Sequence, residues 1–221
     1  MNTRRLFSVT QNGKKLAKSK YSWNEKTRTF SSAEDNLVLD FTDIDGVTFK
    51  TGNKCTFKTG THCAFNTRDN CTFDTGSYCT FDTKNKCTFD TSSYCKFKTG
   101  RSCTFDTKNK CTFDTGSYCK FNTGSWCAFN TNNNCTFDAR SNCTFDTDNN
   151  CTFKTGQNCV IVRRDIFEVI QPEAGFATKL NGENKKGFTL VKDTRTITID
   201  GKDIEISIES FNNLKKQLSK D

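Results

Sequence analysis

The cysteines of this chain fall on one grid with a spacing of eight residues, and no cysteine lies off it. The 14 positions are Cys55, Cys63, Cys71, Cys79, Cys87, Cys95, Cys103, Cys111, Cys119, Cys127, Cys135, Cys143, Cys151 and Cys159. A phenylalanine follows two residues after each of them from Cys55 to Cys151, so the unit reads C-x-F-x-T-x-x-x. A short fixed period is the signature of repeat architectures, in which each unit packs on its neighbours.

Each unit predicts one short strand and one turn. Positions one, three and five, which hold Cys, Phe and Thr, alternate with polar positions two and four, so the apolar side chains share one face of an extended strand. The last three positions carry triplets such as GSY, KNK and NNN. Their Gly, Ser and Asn residues are typical of turns and readily supply positive φ. We also expect the hydroxyl of the position-five Thr to bond to a backbone group at the corner.

Identical units favour a β-solenoid over an antiparallel meander, because a solenoid stacks equivalent positions directly above one another at about 4.8 Å. One unit per coil leaves no interior for a phenyl ring. We therefore predict two units, or about 16 residues, per coil, and the alternative is three units, or about 24 residues. The predicted fold class is an all-β solenoid, also called a β-helix.

The interior of this solenoid is predicted to consist of stacked Cys and Phe side chains. Its central members are Cys71, Cys79, Cys87, Cys95, Cys103, Cys111, Cys119, Phe73, Phe81, Phe89, Phe97, Phe105, Phe113 and Phe121. Burial of each Phe contributes about 1.5–3 kcal/mol, enough to explain stability without a ligand. Upstream, Val47 and Phe49 and then Leu39 and Phe41 are predicted to fill the Cys and Phe positions, and downstream Ile161 fills a Phe position.

Three regions are predicted along the chain: a basic N-terminal β cap over 1–38, the octapeptide-repeat solenoid over 39–172, and a small α+β module over 173–221. In the last region, TRTITID-GKDIEIS predicts a hairpin with Asp200-Gly201 at the turn. A helix is predicted from about Ile208 to Leu218. Solenoids need caps over their open strand edges. Whether this module caps the rod or attaches it to an assembly is left open.

The cysteines allow three interpretations. Buried thiols can pack as small apolar groups. The even count of 14 also permits a ladder of disulfides between neighbouring units across the coil. A metal site is disfavoured because no C-x-x-C pair occurs and the chain has a single histidine, His62. We expect no metal and no cofactor.

Position eight of the unit carries the candidate binding residues. With two units per coil, Tyr78, Tyr94, Lys110 and Trp126 line one edge and Tyr118 lies on the other. Exposed aromatic side chains beside amides and charges suit docking to a glycan or a protein partner. Stacked rings would equally stabilise a solenoid edge without a ligand, and the sequence leaves both interpretations open.

No residues converge into a catalytic constellation, so we expect no enzymatic activity. Residues 1–30 hold eight Lys or Arg against the single acid Glu25, so nucleic-acid binding is expected, if at all, only through this segment.

No stretch approaches the roughly 20 apolar residues that span a bilayer. The first residues, MNTRRLFSVTQNGKK, lack the apolar region of a secretory signal. Neither a membrane association nor secretion by that route is expected.

The octapeptide C-T-F-[DNK]-T-G-x-x, followed by IVRRDIFEVIQP, resembles repeat proteins encoded by tailed, often marine, bacteriophages, and it is distantly like pentapeptide-repeat helices. The resemblance covers roughly 39–172. Because no catalytic constellation is present, we predict a non-catalytic structural or interaction protein of phage origin, either a virion accessory or a host-directed binding element, located in the virion or the host-cell cytoplasm. The alternative is a cytosolic binding module for a host protein or nucleic acid. Ice binding is a minor alternative, because charges interrupt the outward Thr row. Oligomeric state stays open.

Overall fold

The computed structural model describes residues 7–191, 194–199 and 202–207, together with Lys215 and Gln217. The chain winds into a two-sided β-solenoid of about eight coils, with one strand of each coil in either of two facing sheets. Equivalent strands in successive coils pair in parallel.

Sheet A has 12 strands, which are β1 (Ser8–Gln11), β2 (Lys14–Lys15), β5 (Leu37–Phe41), β7 (Thr56–Thr59), β9 (Thr72–Thr75), β11 (Thr88–Thr91), β13 (Thr104–Thr107), β15 (Lys120–Thr123), β17 (Thr136–Ala139), β19 (Thr152–Thr155), β22 (Ala177–Leu180) and β23 (Phe188–Val191). Sheet B has 11 strands, which are β3 (Ser22–Asn24), β4 (Thr29–Ser31), β6 (Thr48–Lys50), β8 (Ala64–Asn66), β10 (Thr80–Asp82), β12 (Lys96–Lys98), β14 (Thr112–Asp114), β16 (Ala128–Asn130), β18 (Thr144–Thr147), β20 (Val160–Arg163) and β21 (Glu168–Ile170). A short 3₁₀ turn, Lys18–Lys20, joins β2 to β3.

Each coil is built from two units, so that stacked positions are about 16 residues apart along the chain. In sheet A, Phe89 pairs in register with Phe73 on one side and Phe105 on the other, and sheet B repeats this alignment at Phe81 and Phe97. The prediction of two units per coil is therefore confirmed, and the alternative of three units per coil is wrong. Two units give each coil two opposed strands, which leave room between them for the phenyl rings.

The predicted Cys and Phe core is buried throughout. Phe105 shows the packing: its ring stacks on Phe89 and Phe121 in its own sheet, with ring centroids 4.8 Å apart in both cases. It meets Phe97 and Phe113 of the opposite sheet edge to face, at 5.2 Å and 76°. Offset-stacked and edge-to-face contacts are the two favoured aromatic geometries. Each interior ring therefore uses both at once, which keeps the cross-section constant along the rod.

The upstream register differs from the prediction by two residues in sheet A. Val47 and Phe49 occupy Cys and Phe positions as predicted, since Phe49 pairs with Phe65. In sheet A, however, Leu39 pairs with Phe57 and therefore fills the Phe position, while Phe41 fills the Thr position. The cause is the connection 42–46, which has five residues where a regular unit has three. At the other end, Ile161 pairs with Phe145 and confirms the predicted Phe position.

The turns use glycine for a reason other than the predicted one. Positive φ occurs at position eight of every unit from the one that begins at Val47 to the one that begins at Cys151, where no glycine is found; Trp126 has φ of 63° and Asn142 of 61°. Glycine instead recurs at position six, where the coil before it lies close to the glycine Cα, although other units carry a side chain there, such as Lys108 and Arg140. At Gly124 the added Cβ would meet the Asn109 side chain and the Lys108 backbone. The prediction that the turn triplets supply positive φ is therefore confirmed for Asn, Ser and Lys residues, but not for their glycines.

Both ends of the solenoid are closed by antiparallel strands. At the N-terminal end, β1 pairs with β5 and β3 pairs with β4, while β4 itself already pairs in parallel with β6. At the C-terminal end, β21 pairs with β20, and β22 pairs with β19 and β23. These strands occupy the edges that a solenoid would otherwise leave open to another chain.

A buried arginine secures the C-terminal closure. Arg163 occupies a Thr position, pairs with Thr147 and is fully buried. Its guanidinium lies 2.7 Å from an Asp165 carboxylate oxygen and 3.6 Å from one of Glu168. It also donates to the Lys185 carbonyl at 2.7 Å. A buried charge is tolerated when it is paired and hydrogen-bonded, as the Arg163 guanidinium is through Asp165 and the Lys185 carbonyl.

The predicted C-terminal hairpin is present, as β24 (Thr194–Ile199) pairs antiparallel with β25 (Lys202–Ser207). The predicted turn residues Asp200 and Gly201 lie outside the described residues. So does the predicted helix from about Ile208 to Leu218, except for Lys215 and Gln217. Within the described part of the chain, no helix has the length and apolar character needed to cross a membrane.

Candidate functional site

The two rows of turns give the solenoid two chemically different edges. The polar edge, where the chain passes from sheet B to sheet A, comprises 52–54, 68–70, 84–86, 100–102, 116–118, 132–134 and 148–150. The aromatic edge, on the return from sheet A to sheet B, comprises 60–62, 76–78, 92–94, 108–110, 124–126, 140–142 and 156–158. The sequence prediction that Tyr118 lies apart from the other candidate residues follows from this division, since Tyr118 is on the polar edge.

Side chains at position seven tie consecutive turns together. On the aromatic edge, Asn109 Oδ1 accepts a hydrogen bond from the Ser125 backbone N–H at 2.8 Å. On the polar edge, Asp69 Oδ1 accepts from the Asn85 N–H at 2.7 Å, and Asn85 Oδ1 accepts from the Arg101 N–H at 3.0 Å. Each bond satisfies a backbone donor that a turn leaves unpaired. The edges are therefore ordered rows with the same rung spacing as the sheets.

Position eight of the aromatic edge forms a ladder of stacked side chains. His62 stacks on Tyr78 at 4.9 Å, and Tyr78 stacks on Tyr94 at 4.8 Å. Lys110 Nζ lies 5.1 Å from the centre of the Tyr94 ring and donates to its Oη at 3.0 Å. This hydrogen bond raises the pKa of Lys110. The edge residues predicted from the sequence did not include His62. Its place at position eight, one coil before Tyr78, could have identified it.

Trp126 is the ring in this ladder with most of its surface free. The faces of Tyr78 and Tyr94 are turned along the rod axis towards their neighbours, so mainly ring edges and hydroxyls reach solvent. Trp126 is 62% exposed and, within the described ranges, stacks on no other ring. Tyr118, on the opposite edge, is 59% exposed. A ligand that stacks on an aromatic face therefore finds that face at Trp126 on the aromatic edge.

The aromatic side chains stand at a backbone conformation that disfavours them. Tyr94 and Trp126 have φ of 62° and 63°. In this left-handed region an ordinary L-residue costs about 1–2 kcal/mol, whereas Asn is tolerated. Several other turns hold Asn at the same position, among them Asn134, Asn142 and Asn158. Because position eight has this conformation in every turn from 52–54 to 156–158, the strain belongs to the turn geometry and is not particular to the aromatic residues.

The cysteines form two separate rows beneath these edges. The first thiol row, under the polar edge, is Cys55, Cys71, Cys87, Cys103, Cys119, Cys135 and Cys151. The second thiol row, under the aromatic edge, is Cys63, Cys79, Cys95, Cys111, Cys127, Cys143 and Cys159. All are buried free thiols in this structure. Their sulfurs lie near turn carbonyls, such as Cys111 Sγ at 3.5 Å from the Ser92 oxygen. Packed thiols that donate weak hydrogen bonds are the arrangement seen here.

Neighbouring thiols in a row influence each other's ionisation. Cys95 accepts S–H donation from Cys111 and Cys79, which lowers the pKa of Cys95. Donation towards neighbouring thiols, together with burial, raises the pKa of Cys79 and of Cys111. A thiolate at one rung therefore makes ionisation at the next rung harder, as expected for interacting sites. Within the described residues, no group of three or more His, Cys, Asp or Glu side chains is placed to hold a metal ion.

The position-five threonines depart from the prediction that they bond to the backbone at the corner. Thr75 and Thr99 come within 3.5 Å of the next residue's carbonyl, and Thr147 donates to the Asn132 carbonyl at 3.1 Å. Most of the others make no such bond within the described chain. Their hydroxyls face the thiol rows instead, as Thr147 Oγ1 does at 3.1 Å from Cys151 Sγ. The corner carbonyls already accept backbone N–H and S–H donors.

The basic N-terminal segment is only partly described. Arg4 and Arg5 lie outside the described residues, whereas Lys14, Lys15 and Lys18 are exposed beside the first coil. Exposed lysines of this kind form a solvated basic surface.

The fold and its edges define the class: a two-sided β-solenoid repeat protein with capped ends and stacked aromatic side chains along one edge. No family model, curated protein or solved structure matches the chain.

Proposed function

We propose that this protein is a non-catalytic interaction protein whose aromatic edge docks an extended partner. The observation that carries the proposal is the 62% exposed ring of Trp126, which occupies position eight one coil beyond the ladder of Tyr78, Tyr94 and Lys110. Rigid aromatic side chains are effective anchors because little conformational entropy is lost when they bind.

The solenoid supports this role by fixing the spacing of the edge. Position-seven hydrogen bonds join turn to turn, and the Phe ladders hold the two sheets together beneath them. A preorganised surface binds with a smaller ordering cost than a flexible one. The resemblance of the repeat to phage-encoded proteins favours a virion accessory or a host-directed binding element, with a bacterial surface glycan or a host protein as the partner.

The test uses immobilised bacterial surface polysaccharides as probes. We expect retention of the full chain that persists at high salt and falls about tenfold or more in Trp126→Asn. Asn is chosen because it suits the backbone at this position. The matched control is Lys86→Asn, also at position eight but on the polar edge, which should leave retention unchanged. Retention that is equal in wild type and Trp126→Asn would count against the proposal.

The competing function, nucleic-acid binding through residues 1–30, predicts a different salt response. Retention on immobilised heparin or DNA would weaken steeply with salt and disappear when Lys14, Lys15 and Lys18 are replaced by Gln. Substitution is preferable to deletion of the segment, because it contains β3 and most of β4, and β4 pairs with β6.

A further inference from the structure

We propose that the two thiol rows form disulfides only along a row, between cysteines of adjacent coils, and that oxidation begins with Cys143 and Cys159 at the C-terminal end of the second thiol row. The product would be a rod stapled coil to coil under oxidising conditions. The co-reactant is a small hydroperoxide.

Distance restricts the partners. Within a row, Cys143 and Cys159 immediately precede residues that pair in register, Thr144 and Val160. Adjacent strands are about 4.8 Å apart, inside the Cα separation of about 4.4–6.8 Å that a disulfide accepts. The two rows lie at opposite edges of the cross-section, separated by the Phe ladders. Four residues of extended strand span about 13 Å, so a bond between rows is out of reach.

The number of thiols in each row limits the product. Each row contains seven cysteines, which is odd, although the total of 14 is even. Pairing along rows therefore leaves at least one cysteine without a partner in each row. The idea that an even total permits complete pairing, by bonds across the coil, does not fit this geometry.

The two thiol rows differ in whether a buried side chain lies next to their terminal cysteines. The first thiol row continues into Leu37 at one end and Leu180 at the other, and both leucines are buried. At the N-terminal end of the second thiol row, the buried side chain of Val47 occupies the next position in the row after Cys63. At the C-terminal end, Cys159 is the last member of the row. Strand β21 pairs with 161–163 and stops at Ile170, short of the position opposite Cys159. Cys159 is 3% exposed, more than any other cysteine of the chain.

The chemistry at this end is favourable. Donation of the Cys143 S–H lowers the pKa of Cys159 to about 6, which increases the thiolate fraction at neutral pH. The pKa of interior thiols such as Cys95 is lowered in the same way, so the missing cover, and not the pKa, distinguishes Cys159 from them. The Cys159 thiolate attacks one peroxide oxygen, the O–O bond breaks, and the departing hydroxide takes up a proton to become water. Cys159 is then a sulfenic acid. The Cys143 sulfur attacks the Cys159 sulfur, the S–O bond breaks, and a second water leaves with the Cys143 proton. Two thiols are oxidised and one peroxide is reduced.

The experiment treats the full chain with increasing hydrogen peroxide, traps remaining thiols with an alkylating agent in denaturant, and maps the linked peptides. We expect the Cys143–Cys159 bond first, and at the end of the titration only bonds between cysteines of adjacent coils in the same row. Cys143→Ser should convert Cys159 into a sulfenic acid that dimedone captures. The matched control, Cys135→Ser in the first thiol row, should form the Cys143–Cys159 bond at the wild-type rate.

Three results would overturn the proposal: a bond between rows such as Cys151–Cys159, complete pairing of all 14 cysteines, or a Cys159 that stays reduced while interior cysteines oxidise. The wild-type peptide map alone decides among these, so the test stands even if the Cys143→Ser chain does not fold.

Discussion

At position seven of the unit, one side-chain oxygen can hold two turns together. Asn109 accepts the Ser125 N–H at 2.8 Å, and Asp45 plays the same part for Thr61 at the start of the aromatic edge. Both acceptors reach across one coil to a backbone donor. Individual side chains at the edges therefore contribute to the register of the whole rod, in addition to the sheet hydrogen bonds.

Replacement of Asn109 by Ala should destabilise the protein by about 1–2 kcal/mol, because the Ser125 N–H loses its acceptor. Urea unfolding midpoints measure the loss. Ser117→Ala is the control, since Ser117 occupies position seven on the polar edge and its hydroxyl makes no such bond in the described chain. Equal midpoints for Asn109→Ala and Ser117→Ala would show that the position-seven bond does not stabilise the fold.

Asp45 should make the stability of the first coils sensitive to acid. The hydrogen bond from the Thr61 backbone N–H lowers the pKa of Asp45 in the folded chain. The stabilisation is therefore present above the ordinary pKa of Asp, about 3.9, and is lost as the pH falls through the lowered value. Thermal unfolding midpoints measured from neutral pH into this acid range should fall less steeply in Asp45→Asn than in wild type. An identical pH profile for the two proteins would contradict this assignment.

At the scale of the strand, stability comes from ladders rather than from single contacts. A strand of three or four residues has one central Phe, and that ring is shared by two neighbours in its own sheet and two in the facing sheet. Short strands of this kind are not stable alone. They persist because every coil offers the next one an identical surface.

Phe105→Ala should therefore cost about 3–5 kcal/mol, and Phe105→Leu less, because Leu refills most of the space between the neighbouring rings. Phe167→Ala is the matched control, since Phe167 is 95% exposed, and its midpoint should stay close to wild type. Denaturant unfolding compares the three variants. A small loss in Phe105→Ala would mean that the interior ladder repacks around a missing ring.

The periodic elements could be predicted from the sequence, and the irregular ones could not. The octapeptide grid specified strands, turns and the two-unit coil, because in-register pairing of identical units determines them. The two extra residues in the connection 42–46 place Leu39 and Phe41 two positions later in the unit than the eight-residue spacing predicted. The spacing alone could not show this, because the sequence does not mark which residues of a longer connection are the additional ones. Gly124 was misread because its requirement comes from the coil beside it and not from its own φ. For the candidate site, the residues that line the aromatic edge could be predicted from their place at position eight of the unit. The stacking of neighbouring rings on the faces of Tyr78 became evident only from the structure.

Across the whole molecule, the interior stabilises the solenoid while the turns determine its surface chemistry. The interior is nearly uniform, and β21, β22 and the Arg163 ion pairs close its C-terminal end. The residues that differ between units are concentrated in the turns. Position eight, for example, is polar in some turns and aromatic in others, while the core residues stay the same. An architecture that separates stability from surface chemistry in this way suits a binding scaffold.

The unfolding free energy of Trp126→Asn tests most directly whether the aromatic edge serves binding or the fold. Trp126 is 62% exposed and has φ of 63°, a conformation that Asn adopts with less strain. The predicted result is an unfolding free energy equal to that of wild type or higher by about 1 kcal/mol. A loss of about 1 kcal/mol or more would contradict the account, because the ring would then be part of what holds the solenoid together.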